Sequence, residues 1–399
     1  MTSYSLSPIE YIFTGAGSQP ITFAYYYPRQ LDPDLLKKGL NQILDQFPLL
    51  KSRLIRDSEN TYAFHLQDDG LTFEVRDADL DFARDRDIQQ YIRPVSSSPG
   101  QSLTRIALLR LPKGSVLAVS ISHALVDGFS YFHFLSSWAR ICRGQRILKP
   151  ALDREGIWPV HVPSQKPIST DDIYLKCGLF YGKHRSPMSN QKMYKDRIFF
   201  SRDSIRDQLE RAREKKPDMR LTENDIITAR LWKQYLSRWT RGDQNPRTHL
   251  TCPVDIRRIL KNFPATYFGC AICFATATLP LNQVMAADVS ELAVEVKKAI
   301  RKVNENYVLK CMQTLETLRL LDGLQTSEAV HLRHPQNGLI VTNLTRMPVR
   351  DLDFGSGPMT DFLAYVDVER GAAILQSEDG VDVLISYPDA LDESNPTDK

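Results

Sequence analysis

The sequence predicts an α/β protein with two domains, on the strength of three observations. At 399 residues, the chain exceeds the usual size of a single hydrophobic core. Segments with the period of a strand alternate with segments of helical period. A stretch from about 145 to 195, rich in proline and basic residues, has no sustained period. We therefore expect an N-terminal domain at 1–160, a crossover at 161–196 and a C-terminal domain at 197–399.

Capping and turn residues mark the elements of the first half. Asp32 and Pro33 are typical of a helix start, and Pro48 ends the same helix. After Gly128 the apolar period changes from two to about 3.6, which indicates a second helix. The predicted strands are 21–27 and those of two hairpins, "YAFHL" with "LTFEV" across Asp69-Gly70, and "LTRIALLRL" with "SVLAVSI" across Pro112-Lys113-Gly114.

The second half has the same mixture of elements. Thr222 and Asp225 form the capping-box pattern that begins a helix. The predicted helices are 202–215, one beginning near Thr222, and 288–304. The predicted strands are 197–200, 247–255, 267–280, 338–344 and a last hairpin with its turn at Asp379-Gly380.

Composition and charge exclude several classes of protein. The 51 basic and 48 acidic side chains leave a net charge of +3 without a long basic run, so we expect no nucleic-acid partner. The first residues lack the pattern of a secretory signal, and no apolar stretch approaches the ~20 residues that cross a bilayer. Six cysteines are too sparse for a disulfide scaffold. We expect a cytoplasmic protein without a membrane partner.

A zinc site is one alternative for the cysteines and histidines. Cys270 and Cys273 form a CxxC pair, and His331 and His334 would complete a set of four ligands. However, "YFGCAICFATATL" is typical of a buried strand in which cysteine is a small apolar residue. We therefore expect no metal.

The apolar run "AVSIS" ends at His123, and Asp127 and Gly128 follow it closely. Histidine has an unperturbed pKa near neutrality, so a histidine at a strand end beside a cleft suits proton abstraction. An isolated histidine is nevertheless more often structural. Asp127 has three possible roles, since a carboxylate there can fix the turn, orient the imidazole or pair with a distant arginine.

Together with four further segments, "SHALVDG" resembles the HxxxDG pattern of the BAHD acyltransferases, relatives of chloramphenicol acetyltransferase. In family order, the other segments are "LSPIEYIF", "LTENDIITARLWK", "CPVDIRRILKNFPATYFGC" and "VTNLTRMPVRDLDFGSG". The resemblance extends from residue 6 to about 387. It implies the two-domain chloramphenicol-acetyltransferase-like α/β fold, in which each domain is a mixed sheet with helices and the active-site tunnel lies at the domain interface.

The resemblance also implies roles for residues of the motifs. His123 would be the general base that deprotonates an acceptor hydroxyl or amine as it attacks an acyl-CoA thioester. Asp127 would point away from the substrate and pair with Arg257, which would tie the Gly128 turn to the second domain. The remaining supporting residues would shape the coenzyme A tunnel and the fold: Asp353, Gly355 and Gly357.

The resemblance implies acyl-CoA as a co-substrate rather than a permanently bound cofactor. The acceptor would be a small-molecule alcohol or amine of specialised metabolism, and the enzyme a monomer. Because "VTNLT" enters next to the family's active-centre strand, we expect Thr342 or Asn343 to act as a polar donor near the tetrahedral oxyanion. An ordinary strand hydrogen bond is the alternative for both side chains.

Three residues depart from related patterns. Ser356 replaces the tryptophan usual in plant members, which favours a microbial or divergent branch, and Cys270 replaces the asparagine of YFGN. Ser122 stands where condensation domains usually carry a second histidine, which favours a stand-alone enzyme. Two alternatives stay open: an acyl or acceptor group carried by an acyl carrier protein, and a non-catalytic binding module.

Overall fold

The computed structural model describes residues 2–85, 88–154, 158, 168–182, 194–236, 245–365 and 368–387. Short 3₁₀ turns occur at Glu10–Phe13 and Pro48–Lys51. The helices are α1 (Pro33–Leu44), α2 (Gln89–Ile92), α3 (Gly128–Cys142), α4 (Thr170–Cys177), α5 (Arg202–Lys215), α6 (Glu223–Leu231), α7 (Leu281–Ala286), α8 (Val289–Lys302), α9 (Glu305–Asp322) and α10 (Leu324–Glu328).

The strands form two large and two small sheets within these residues. The strands are β1 (Ser3–Ser5), β2 (Ile21–Tyr27), β3 (Ser52–Ser58), β4 (Thr61–Leu66), β5 (Leu71–Asp77), β6 (Thr104–Arg110), β7 (Ser115–Ile121), β8 (Phe180–Tyr181), β9 (Tyr194–Ser201), β10 (Arg247–Asp255), β11 (Ile272–Pro280), β12 (Val330–His331), β13 (Gly338–Asn343), β14 (Asp361–Ala364), β15 (Gly371–Ser377) and β16 (Gly380–Tyr387).

The first large sheet has the order β14-β2-β7-β6-β5, and its central strand β7 is buried on both faces. Leu117 and Val119 of β7 belong to the core under α1 and α3, whereas Val116 and Ala118 belong to a smaller cluster under α2. Burial on both faces explains why β7 is apolar throughout. Its direct continuation is the segment that carries His123.

The second large sheet has the order β11-β10-β13-β15-β16-β9, and α5, α6 and α8 pack together beside it. Parallel pairs occur at its centre, β10 with β13 and β13 with β15, and the other pairs are antiparallel. The first sheet is also mixed, since only β5 and β6 pair in parallel there. The predicted α/β architecture of mixed sheets with helices is therefore confirmed.

One strand crosses between the two halves of the chain. β14 lies late in the sequence, yet it pairs antiparallel with β2 and forms the edge of the first sheet. The predicted boundaries at 1–160, 161–196 and 197–399 stay predictions, because much of the crossover lies outside the described residues. Within the crossover, the structure adds α4 and β8, which the irregular sequence did not predict.

Most predicted elements are present with nearly the predicted bounds. Strand 21–27, helix 202–215 and strand 247–255 are confirmed at both ends. Asp32 caps α1, and the capping box of Thr222 and Asp225 begins α6. The hairpin of β6 and β7 is confirmed, as is the last hairpin, β15 with β16, whose connection is Glu378-Asp379.

The hairpin predicted across Asp69-Gly70 is wrong. β4 pairs with β1 and β3, whereas β5 belongs to the first large sheet and pairs in parallel with β6. Arg53 of β3 binds both the carboxylate and the carbonyl of Asp69, so this turn is tied to β3. Phe73 of β5 instead packs edge-on against Trp138 of α3, with ring centroids 6.4 Å apart.

The strand predicted at 267–280 is too long, because β11 begins at Ile272. Residues 267–271 are instead held by side chains, as described for the site below. The structure also contains α9, β3 and β14, which the sequence reasoning missed. The buried residues of α9 include Thr314, Thr317 and Arg319, so a search for an apolar stripe fails to find it.

A buried ion pair fixes the 3₁₀ turn Glu10–Phe13 against the rest of the protein. Glu10 is fully buried and forms a salt bridge with Arg154, which is 6% exposed. The Glu10 carboxylate also accepts hydrogen bonds from the backbone amides of Ser7, at 2.8 Å, and Cys270, at 3.0 Å. Arg154 donates in turn to the carbonyl of Phe268. The N-terminal turn is thereby joined to the segment before β11.

We predict that Glu10→Gln lowers the free energy of unfolding by about 3–5 kcal/mol, because it leaves the charge of Arg154 buried without a counter-ion. Urea unfolding measures the change. Glu295→Gln is the matched control, since Glu295 pairs with Lys298 at the surface at 2.7 Å. The control is expected to cost less than about 1 kcal/mol. Equal losses in the two variants would contradict a structural role for the buried pair.

Candidate active site

The candidate site is built on the turn that follows β7. Ser122 organises this turn, because its carbonyl accepts the amides of Leu125 and Val126 at 3.0 and 3.2 Å. Its hydroxyl accepts the amide of Ala124 and lies 2.6 Å from the hydroxyl of Ser97. Both the carbonyl and the hydroxyl of Ser122 thus stabilise the turn. His123 lies within the turn and is partly exposed.

The His123 imidazole stacks on an aromatic ring. The ring of Phe13 lies parallel to it, with centroids 4.1 Å apart and an interplanar angle of 6°. Burial lowers the pKa of His123 below its usual 6.5, although the charge of Asp127 and the carbonyls of His123 and Val126 oppose this effect. A neutral imidazole at neutral pH is the form that can accept a proton.

Asp127 is the N-cap of α3 and is 1% exposed. One carboxylate oxygen accepts the amide of Ser130 at 2.9 Å, and the other accepts the amide of Ala271 at 2.9 Å. Arg257 binds the two oxygens at 3.0 and 2.7 Å, which is a bidentate pair. Burial alone would raise the pKa of Asp127, but Arg257 and the two amides lower it overall. Asp127 is therefore a carboxylate engaged away from His123.

Arg257 joins this turn to the segment before β11. Its guanidinium donates to the carbonyls of Tyr267, at 3.1 Å, and Gly269, at 3.3 Å. The hydroxyl of Ser130 donates to the Gly269 carbonyl and accepts the Gly269 amide. No side chain fits at Gly269, because a Cβ there would lie 2.6 Å from the Tyr267 ring and 2.8 Å from Arg154. The predicted pairing of Asp127 with Arg257 is present in the structure.

The end of β13 lies next to the same turn. A Cβ on Gly128 would lie 3.4 Å from Leu344, which directly follows β13. Thr342 and Asn343 at the end of β13 are partly exposed. The Asn343 amide donates to Asn224 of α6 at 2.8 Å, and its oxygen accepts the hydroxyl of Thr345 at 2.7 Å. The Asn343 side chain is therefore oriented by two partners.

The "DFGSG" segment forms a tight loop against α1 and α3. One carboxylate oxygen of Asp353 accepts the amides of Gly355 and Gly357, both of which have positive φ. Phe354 is buried beside Trp138 of α3, with ring centroids 4.8 Å apart. Arg143, which follows α3, donates to the carbonyl of Asp353. Asp353 thus holds the loop together, and the loop contacts the α3 region through Phe354 and through the Asp353 carbonyl.

The residues of the alternative zinc site have other neighbours. His334 stacks on His249, with ring centroids 4.7 Å apart, and its Nδ1 accepts the amide of Asn337. Cys270 and Cys273 are both fully buried. Across the part of the chain that the structure describes, there is no group of three or more possible metal ligands.

Sequence reasoning missed several residues of the site. Phe13, Glu10 and Asn224 occur in quoted segments, but nothing in their spacing indicates which partner each side chain meets. Arg154 lies in the irregular stretch and carries no local signal at all. Ser130 was also missed, although its position three residues after an N-cap would have predicted a capping contact.

The described residues thus form two mixed sheets that share an exchanged strand, and a buried ion pair fixes the turn that carries His123. The family model described as "Transferase family" matches residues 18–390. The chain belongs to this family and is an acyl-CoA-dependent acyltransferase of the BAHD type.

Similar proteins are known from plants. The chain is 25% identical to a hydroxycinnamoyltransferase of Narcissus pseudonarcissus, over 84% of this chain and 80% of that protein. It is 26% identical to the hydroxycinnamoyl-CoA:5-hydroxyanthranilate N-hydroxycinnamoyltransferase of Avena sativa, over 86% of this chain and 78% of that protein. The name of the Avena sativa protein includes both a coenzyme A thioester donor and an N-acylation.

Solved structures share the fold. The F. graminearum protein TRI101, crystallised with coenzyme A and deoxynivalenol, matches with a TM-score of 0.80 and 15% identity over 98% of this chain and 96% of that chain. Vinorine synthase matches with a TM-score of 0.69 and 19% identity over 98% and 91% of the two chains. Among the described helices, none has the length and apolar character needed to span a membrane.

Proposed function

We propose that the chain transfers an acyl group from acyl-CoA to a hydroxyl or amine of a small molecule, with His123 as the general base. The observation that carries this proposal is the accessible histidine on a turn whose carboxylate is already paired with Arg257. Relatives that use hydroxycinnamoyl-CoA and 5-hydroxyanthranilate support the two substrate classes. Asp127, Gly128 and Arg257 then hold the base in place and take no part in proton transfer.

The proposed reaction needs one proton acceptor and no permanently bound cofactor. The imidazole of His123 removes the proton from the acceptor oxygen or nitrogen, and this atom attacks the thioester carbonyl. The resulting tetrahedral intermediate collapses with cleavage of the carbon–sulfur bond. The imidazolium returns the proton to the thiolate, so free coenzyme A and the ester or amide leave. A lowered histidine pKa favours the neutral base that begins this cycle.

The oxyanion of the intermediate requires a polar donor, and we propose the end of β13 for this role. Thr342 and Asn343 lie there, two residues and one residue before Leu344, which approaches the His123 turn at Gly128. Asn343 is held by Asn224 and Thr345, and such preorganisation is what an oxyanion donor needs. The alternative is that the hydrogen bonds of Asn343 with Asn224 and Thr345 serve the fold alone.

The proposal also covers the carrier of the acyl group, the oligomeric state and the compartment. We propose that coenzyme A, rather than an acyl carrier protein, carries the acyl group. We further propose that the enzyme is monomeric and cytoplasmic. Incubation with hydroxycinnamoyl-CoA or acetyl-CoA is compared with the same groups on an acyl carrier protein, using a trial alcohol and a trial amine. Transfer from the carrier protein alone would contradict the coenzyme A donor.

We predict that His123→Gln lowers kcat by about 10²–10⁴-fold, the usual contribution of a positioned general base. His133→Gln is the matched control, because His133 on α3 makes a framework contact with the carbonyl of Leu148. The control should retain activity. Turnover by His123→Gln at the rate of the unmodified enzyme would contradict catalysis by His123 and would favour a binding module.

The pH profile of kcat/KM tests the same base independently. Activity requires neutral His123, and burial shifts the pKa of its imidazole below 6.5. The acidic limb of the profile is therefore expected below pH 6.5, with full activity retained on the alkaline side of that limb. An acidic limb above pH 6.5 would contradict the proposed environment of the base.

We predict that replacing the oxyanion donor lowers kcat without a matching change in KM, because the oxyanion exists only in the intermediate and its transition states. The variants are Thr342→Val, which keeps the shape of the side chain, and Asn343→Ala. A loss of about 10²-fold in one of them identifies the donor. Unchanged turnover in both would remove β13 from the proposal.

A further inference from the structure

Phe13 lies face to face with the proposed base. Its ring is parallel to the His123 imidazole at 4.1 Å, the shortest of the ring contacts described, and the interplanar angle is 6°. Phe13 is 2% exposed and packs with the core under the second sheet. The imidazole is therefore covered on one face by an aromatic ring that belongs to another part of the chain.

The carboxylate nearest to His123 does not orient its ring. Its Nδ1 is buried and makes no hydrogen bond of ordinary geometry among the described residues, although the backbone carbonyls of His123 and Val126 lie near enough to favour the protonated ring. The nearest carboxylate, Asp127, is already engaged by Arg257, Ser130 and Ala271. Since rotation about χ2 of histidine has broad minima, a contact on the face of the ring further restricts its plane.

Phe13 is itself held rigidly enough to define that plane. It ends the 3₁₀ turn whose first residue, Glu10, is bound by Arg154 and by the amide of Cys270. Beyond Phe13, both the hydroxyl and the amide of Thr14 donate to the carbonyl of Tyr11, at 2.7 and 3.1 Å. Both ends of the turn are thus fixed, and the parallel ring contact favours one plane of the imidazole.

We infer that Phe13 is a positioning residue for His123, which fixes the imidazole plane and stabilises the imidazolium formed during transfer. The inference rests on the proposed function of His123. A cation is attracted to the face of an aromatic ring, so the Phe13 face favours the protonated imidazole in the intermediate state. Phe13 forms no covalent bond during the acyl transfer and acts only through its contact with His123.

The test replaces the aromatic face and preserves the apolar bulk. Phe13→Leu is expected to lower kcat about tenfold with little change in the donor KM, because the base is misaligned only for proton transfer. The acidic limb of kcat/KM should also move down by about 0.5 pH unit, since the imidazolium loses its aromatic neighbour. Phe13→Tyr keeps the ring face, so its kcat and the position of its acidic limb should match those of the unmodified enzyme.

Phe200→Leu is the matched control, because Phe200 is equally buried in β9 and contacts Arg230 rather than a histidine. It should cost stability without moving the acidic limb. If Phe13→Leu folds poorly, Phe13→Met offers a more adaptable side chain, and an NMR titration of His123 reads its pKa without turnover. An unchanged limb and unchanged kcat in Phe13→Leu would overturn the inference. Activity in His123→Gln would instead overturn the proposed function, so the two failures are distinguishable.

Discussion

The bidentate ion pair of Asp127 with Arg257 is the interaction on which the candidate site depends. Both side chains are almost completely buried, and moving each charge out of water costs several kcal/mol. Such a pair is retained only when its remaining hydrogen-bonding groups are satisfied. Here the amides of Ser130 and Ala271 bind the carboxylate, and the carbonyls of Tyr267 and Gly269 accept from the guanidinium. The pair therefore fixes one relative position of the β7–α3 turn and the segment before β11.

The segment 267–271 is bound by a second ion pair as well. Glu10 accepts the amide of Cys270, and Arg154 donates to the carbonyl of Phe268, so alternate peptide groups face different ion pairs. This arrangement explains why the residues do not extend β11, although their composition is strand-like. It also connects the proposed base to its aromatic neighbour, because one pair holds the His123 turn and the other holds the turn of Phe13.

The fold class can be predicted from local patterns in the sequence, and part of the site from the resemblance between its motifs and those of a family. Helix α5 and strand β10 were predicted from periodicity, and the link between Asp127 and Arg257 came from a family resemblance. The wrong and missed predictions concern residues whose contact partners lie far away in the sequence. The partner of β5 was predicted wrongly and β14 was missed, because neither strand is joined to its partner by a short turn. Phe13 was missed because nothing in its neighbourhood indicates a stacking partner 110 positions away.

The most direct test of the central claim is a double-mutant cycle on Asp127 and Arg257, read in the free energy of unfolding and in kcat/KM. The substitutions Asp127→Asn and Arg257→Met are measured singly and together. An exposed ion pair on α5, Asp203 with Arg206 at 2.7 Å, serves as the reference through Asp203→Asn and Arg206→Met. The account predicts a coupling above about 1.5 kcal/mol for the buried pair and below about 1 kcal/mol for the reference. Effects of Asp127 and Arg257 that add to within about 0.5 kcal/mol, with kcat/KM unchanged, would contradict it.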